Sequence, residues 1–256
     1  MDVKVKRSTR AAPAAWITLY GALTGVTALI PIFPYVGGGG YVPLLVPFAA
    51  MGPLLLGMKG GVVAAIIGGL IGMFLAPGAF PLGLVDVLIT SVSAAVMTGL
   101  VLHADRLWKA AIPVAVLVAL FSMTFPYYIP GGAAGFEAPP QPLYWALSAY
   151  YWLPSLIVLA TPLGMSLVPS WRESEDRTKR YLGIFIVMLA GFLLWWNPWT
   201  RPYWYLFNYP VGLGIATLIG YTWWVPALAA ITTVITAPIL EALKRSGLPK
   251  IEGAIW

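Results

Sequence analysis

Gly60-Gly61-Val62-Val63-Ala64-Ala65-Ile66-Ile67-Gly68-Gly69-Leu70-Ile71-Gly72 is an apolar run interrupted only by small residues. Gly60, Ala64, Gly68 and Gly72 recur at every fourth position, and Gly61, Ala65 and Gly69 form a second row beside them. Small residues at that spacing strip the bulk from one helical face, so that backbones approach closely. In lipid, such packing stands in for the missing hydrophobic drive between helices. The segment predicts a central membrane helix gripped by neighbours on both sides.

The rest of the chain extends this reading. Of 256 residues, 60% are hydrophobic and only 9% charged, and the mean hydropathy is +0.84. A soluble domain carries roughly a quarter charged residues. Long apolar stretches recur from end to end, suited to a hydrocarbon core about 30 Å thick. The expectation is an all-α, polytopic transmembrane bundle of about eight spans, at residues 14–34, 42–57, 60–76, 82–102, 110–128, 143–168, 181–196 and 211–243. Lys59 with Gly57, Gly60 and Gly61 predicts a tight turn between the second and third. Trp223, Trp224 and Pro226 mark a candidate kink in the last, which is longer than a bilayer needs. No cleavable secretory signal is expected, because the basic N-terminus is followed by a full span with no small-residue cleavage site.

Lysine and arginine orient the bundle. With the N-terminus in the cytoplasm, every Lys and Arg except Arg201 falls on an inner segment. Both termini are then cytoplasmic in a plasma-membrane protein. The net charge of +6 follows from topology, with no nucleic-acid partner required. The outer connections, 35–41, 77–81, 129–142 and 197–210, are rich in Gly, Pro and aromatic residues. Eight of the fifteen residues in 195–209 are aromatic. They read either as an aromatic belt at the outer headgroups or as the wall of an outward-opening pocket.

Few polar groups lie at membrane depth, where they are costly and therefore informative. Asp86 sits near the outer end of the fourth span, either stabilised by the helix N-terminus or reaching into a cavity. Thr90 shares its face at i, i+4. Tyr127 ends the fifth span, and Tyr144, Trp145, Ser148, Tyr151 and Trp152 begin the sixth. Rings with a few hydroxyls suit a flat heteroaromatic ligand, although a lipid-facing belt reads the same way.

Catalytic chemistry finds no footing. There is no Cys, and the single His103 falls in a short inner loop with Asp105 and Arg106, where a solvated residue is expected. No buried carboxylate pair, metal-ligand spacing or Ser–His–Asp set is present. The glycines at 37–40 lack the Lys-Ser/Thr of a phosphate-binding loop. The expectation is a protein that is not an enzyme, holds no cofactor and cannot hydrolyse ATP itself. An intramembrane lipid-modifying enzyme is disfavoured for want of a nucleophile–base pair.

Over residues 14–102 a family pattern emerges. Leu29-Ile30-Pro31 closes the first span, a Gly-rich loop runs through Gly40, and Val42-Pro43-Leu44-Leu45 follows. Then come Gly52-Pro53-Leu54-Leu55-Leu56-Gly57-Met58-Lys59-Gly60-Gly61 and the small-residue helix. The order resembles the substrate-binding S components of energy-coupling factor (ECF) vitamin transporters, with Gly57, Lys59 and Gly61 matching the turn between their second and third helices. The resemblance implies a six-helix core within residues 1–168, a further two-span unit at 181–243, and a single membrane domain. It implies an outward pocket of Tyr35, Tyr41, Asp86, Thr90, Tyr127, Trp145, Ser148 and Trp152 that takes a vitamin-like small molecule beneath a mobile glycine loop. It also implies a coupling membrane protein, met along Ala11, Ala15, Gly21 and Gly25, and separate ATPases. The competing expectation is a non-transporting structural or docking subunit of a membrane complex.

Overall fold

The computed structural model describes residues 11–128, 141–248 and 250–256. The basic residues Lys4, Lys6, Arg7 and Arg10 lie outside the described residues, as does most of the 129–142 connection.

The small-residue rows fold as a helical hairpin. Helix α1 (Ala11–Val26) leads through a 3₁₀ turn into strands β1 (Pro31–Pro34) and β2 (Tyr41–Pro43), which pair antiparallel. Between them, Gly38 and Gly39 take φ of +76° and +82°, a backbone region that glycine enters freely. Helix α2 (Leu45–Leu75) then breaks at Gly57, where φ is +70° and ψ +168°. A straight helix would separate Gly52 from Gly61 by about 13.5 Å. Instead, a Cβ built on Gly52 would lie 3.1 Å from the Gly61 Cα, so the two arms pack backbone to backbone.

Helix α1 lies in the groove these glycines leave. A Cβ on Gly25 would meet the Ile71 side chain at 2.6 Å, and one on Gly21 would meet Ile67 at 2.9 Å. Gly21 and Gly25 are thus buried against the second arm of α2, so this part of the small-residue face packs internally and is not free to meet the coupling protein that the resemblance implies. The small side uses its shape to pack internally first, because close backbone approach is available there. Ala15 is exposed, and the side chain of Ala11 is outside the described residues.

Beyond α2 the chain forms α3 (Leu84–Asp86), a widened π turn (Val87–Val92) and α4 (Ser93–Leu102), which run on as one span-length helix. After α5 (Ala104–Thr124) come α6 (Gln141–Tyr150) and α7 (Leu153–Ala160), bent by 51° at their junction. A second π turn and α8 (Val168–Arg172) lead to α9 (Arg177–Leu206), α10 (Val211–Gly220) and α11 (Trp224–Arg245). The Asp176 carboxylate caps α9 by accepting from the Thr178 N–H at 2.8 Å, satisfying an otherwise unpaired donor.

Among the described residues the fold is helical apart from the one short hairpin. Five helices are long and apolar enough to cross a membrane, or six when the bent α6–α7 pair counts as one. The apolar segment Pro13–Leu29 is shorter, so helix length alone does not reach the eight spans expected. Leu19, Phe74, Leu88, Leu117, Leu120 and Val234 project outward with more than half of each side chain exposed. Such a surface suits lipid and would be costly in water.

Helix α9 runs through the middle, packed against α4, α5, α7, α8 and α11. It continues to Leu206 across Pro198 and Pro202, where the sequence suggested that the span ends at 196 and a loop follows. Proline costs a helix its hydrogen bond, but buried neighbours hold the backbone in place here. Trp195, Trp196, Trp199, Tyr203 and Trp204 are all buried, so this part of the aromatic run is interior and not a lipid-facing belt.

The two ends of the bundle differ in chemistry. At one end Arg180 pairs with Glu241 at 3.1 Å and Lys244 with Glu175 at 3.1 Å, while Arg172 bonds the Leu102 carbonyl and approaches Asp105 at 3.8 Å. The C-terminal segment closes on the same end. The Ile255 N–H donates to the Leu54 carbonyl at 3.0 Å, and the Trp256 ring N–H to the Leu55 carbonyl at 2.8 Å. These carbonyls belong to the last turn before Gly57 and would otherwise lack helical partners. The opposite end carries the β1–β2 hairpin and the aromatic half of α9.

Candidate functional site

Beneath the β1–β2 hairpin lies a buried array of rings threaded by a few polar groups. Trp195 and Trp199 stack at 4.8 Å, Tyr151 and Trp196 at 5.0 Å, and Tyr221 tilts against Trp196 at 4.4 Å. Tyr35 enters from the hairpin and meets Trp199 and Tyr203 edge-on, at 5.6 and 5.3 Å. Successive aromatic residues on α9 face different neighbours because α4, α5, α7 and α11 pack around most of the helix.

Two polar chains cross this array. In the first, the Tyr35 and Tyr203 hydroxyls lie 3.3 Å apart, and the Tyr203 O–H donates to Asp86. The Leu82 N–H also donates to the Asp86 carboxylate. Asp86 is fully buried, and its place just before the π turn aims it inward. Its partners are protein groups: the carboxylate accepts at the start of the helix and, through Tyr203, steadies the hairpin's tyrosine.

The second chain is built on Arg201, which is wholly buried. Its Nη2 donates to the Ser148 hydroxyl at 3.0 Å, and the guanidinium lies 3.9 Å from the Trp204 ring centre and 5.1 Å from that of Tyr144. No carboxylate pairs with it among the described residues, and its Nε and Nη1 find no hydrogen-bond partner. One turn earlier, at i, i+4 on the same face, Asn197 is fully buried, and neither its amide nitrogen nor its oxygen has a partner among the described residues. Native interiors leave few such groups, and each calls for an explanation. Rings on two sides reduce the cost of burying the cation but leave its donors unused.

Against this geometry the predicted residues divide. Asp86, Thr90, Tyr35, Tyr127 and Ser148 are buried, and the Tyr127 O–H reaches the Tyr209 carbonyl at 3.3 Å. Thr90 has an unpartnered hydroxyl oxygen. Tyr41 is half-buried and donates to the Ala28 carbonyl, which ties the hairpin to the end of α1. Trp145 faces outward and donates to the Met123 carbonyl at 3.1 Å, so it is not a pocket wall. Trp152 is half-buried with an unpartnered ring N–H.

Sequence reasoning missed Arg201, Asn197, Trp199 and Tyr203 as site residues. Arg201 was the single positive charge on an outer segment, and that exception was the available signal. The expected open hollow is also replaced by side chains. The space left among Tyr35, Trp199, Tyr203, Tyr209 and Tyr221 is about 20 Å³, room for one water.

No family model, curated protein or solved structure matches this chain.

Proposed function

We propose that this protein is a plasma-membrane binding subunit that takes a vitamin-like small molecule carrying a negative charge into the half of the bundle beneath β1–β2. The observation that carries the reading is the Asn197–Arg201 pair: a buried cation and amide on one helical face, with unused hydrogen-bonding groups and aromatic walls. A carboxylate on the ligand would accept from Nε and Nη1, and its ring system would slide between indoles. Asp86 and Tyr203 would hold the Tyr35 end of the hairpin closed. Entry would require the hairpin tip to lift, and Gly38 and Gly39 supply the backbone freedom for that movement.

The bundle would cross the membrane eight times with both termini inside, counting α1 and the two arms of α2 as separate passes. Collection of the 103–106, 172–180 and 244–256 segments at one end supports this topology. The resemblance to ECF S components supplies the remaining parts, a coupling membrane protein and ATPases that drive release inward.

The test is mass spectrometry of small molecules retained after purification in mild detergent. A stoichiometric anionic metabolite with an aromatic ring is expected. Retention of lipid alone would refute the uptake reading. It would favour the second one, a non-transporting structural or docking subunit, which the 20 Å³ interior space supports.

A further inference from the structure

A wide cavity lies at the other end of the molecule. It measures about 520 Å³, between the turn after α4, the α8–α9 junction, the end of α11 and the C-terminal segment. Five cations line it: Arg106, Arg172, Arg180, Lys244 and Lys250. Two acids, Glu173 and Glu252, share the wall. Three further acids pair with these cations: Asp105 with Arg172 and Arg106, Glu241 with Arg180, and Glu175 with Lys244. Such pairing holds the cations in place without consuming their donors. Arg180 spends Nη2 on Glu241 and keeps Nε unpartnered. No ion pair holds Lys250 among the described residues.

His103 also lines this cavity. It is 92% buried, and its Nε2 has no hydrogen-bond partner, a correction to the solvated loop residue expected from sequence. The turn between α4 and α5 is overlaid by Arg172, which reaches the Leu102 carbonyl, and this cover removes His103 from solvent.

A second hollow adjoins the first. It measures about 200 Å³, its wall is apolar, and Trp16, Tyr20, Phe48, Leu55 and Leu243 contribute to it. Ile251 and Trp256 belong to both hollows, so one short segment of chain separates a basic chamber from a greasy one. A soluble anion needs the first alone. An amphiphile with an anionic head and an acyl tail uses both.

We infer that this end of the bundle is a binding site for an anionic phospholipid, with the phosphate headgroup among Arg106, Arg180, Lys250 and His103 and an acyl chain along Trp16, Phe48 and Leu243. The inference stands apart from the ligand binding proposed around Asn197 and Arg201, at the opposite end of the bundle. Its position fits the positively charged face, which meets the anionic leaflet when the lysine and arginine bias is read as topology. Basic pockets between transmembrane helices on that side are suited to lipid phosphates. The C-terminal segment would be clamped by the lipid on one side and by the Leu54 and Leu55 carbonyls on the other.

The experiment uses the full chain in nanodiscs of phosphatidylglycerol, phosphatidylcholine or an equal mixture, followed by native mass spectrometry of retained lipid. A parallel arm adds inorganic phosphate to detergent-solubilised protein at constant ionic strength and measures thermal protection. Phosphatidylglycerol is expected to be retained roughly tenfold over phosphatidylcholine. The K250Q and R106Q variants, both altered at positions outside the packed core, should each lower that preference roughly three- to tenfold. Their melting in phosphatidylcholine should match the unaltered protein, which separates loss of the site from loss of the fold. Equal retention of the two lipids overturns the proposal. Protection by inorganic phosphate without lipid preference overturns it too, in favour of a soluble phosphate ligand.

Discussion

Replacing Arg201 with methionine separates a structural arginine from a binding one. The guanidinium is fully buried and receives one hydrogen bond partner, Ser148, and two ring faces, Trp204 and Tyr144. Removing a charge of this kind from water costs several kcal/mol. A charged hydrogen bond returns about 1.5–3 kcal/mol, and each desolvated ring face about 2 kcal/mol. The sum is near break-even, with two donor atoms still unsatisfied at about 1–3 kcal/mol each. Methionine fills a similar length of space and needs no partners. Arg201→Met should therefore leave stability unchanged or raise it by about 1–3 kcal/mol, a rise of several degrees in apparent Tm. The same variant should lose the retained anionic ligand. Fluorescence-monitored melting in detergent and ligand retention measured on one preparation supply both readings. A fall in stability of more than about 2 kcal/mol would refute the reasoning, since it would show that the cation is fully compensated inside the fold. Retained ligand at unchanged stoichiometry would refute the binding role.

Other outcomes follow from the packing and the polar chains. Gly61→Ala places a Cβ 2.4 Å from the Pro53 nitrogen and should destabilise by about 1–3 kcal/mol in melting experiments, whereas Gly220→Ala meets nothing within 4 Å and should be neutral. Asp86→Asn keeps one acceptor oxygen but turns an N–H₂ toward the other of the two donors, Leu82 N–H or Tyr203 O–H, and should lower stability by about 1–3 kcal/mol; limited proteolysis should then cut the β1–β2 hairpin faster. Gly57→Ala combines a φ of +70° with a Cβ 2.2 Å from the Glu252 carbonyl oxygen, so the C-terminal segment should become accessible to carboxypeptidase. Burial first, and the Arg172 charge second, hold the His103 imidazole below its ordinary pKa of 6.5. The unfolded chain then takes a proton that the folded chain refuses, so this destabilisation grows as pH falls below 6.5 and is absent well above it. The melting-temperature loss between pH 7.5 and 5.5 should shrink in His103→Gln.

The local chemistry of the chain was legible in particular residues. Gly57 with its flanking glycines predicted a reversal, because no other residue takes that backbone angle cheaply. The fourfold small-residue spacing predicted close helix contact, because packing in lipid depends on backbone approach. Arg201 stood out as the exception to the charge bias. Its role was hidden because a proline-flanked aromatic run reads as a loop, and nothing in the order of residues says that neighbours will enclose it. Trp145 was misplaced for a related reason: a ring near a helix start looks alike whether it faces inward or toward lipid.

The class of the molecule, a helical bundle apolar enough to cross a membrane with a basic end and an aromatic end, is already written in the order of residues, since hydropathy, glycine spacing and charge bias act over a few turns of chain. Tertiary structure alone decided which face of each helix is buried. Contacts between residues far apart in sequence turned Gly21 and Gly25 inward, gave Tyr203 to Asp86, left Arg201 without a carboxylate among the described residues, and brought Ile255 and Trp256 against the first arm of α2. Burial and hydrogen-bond satisfaction are properties of such meetings, and the order of residues along one chain does not contain them.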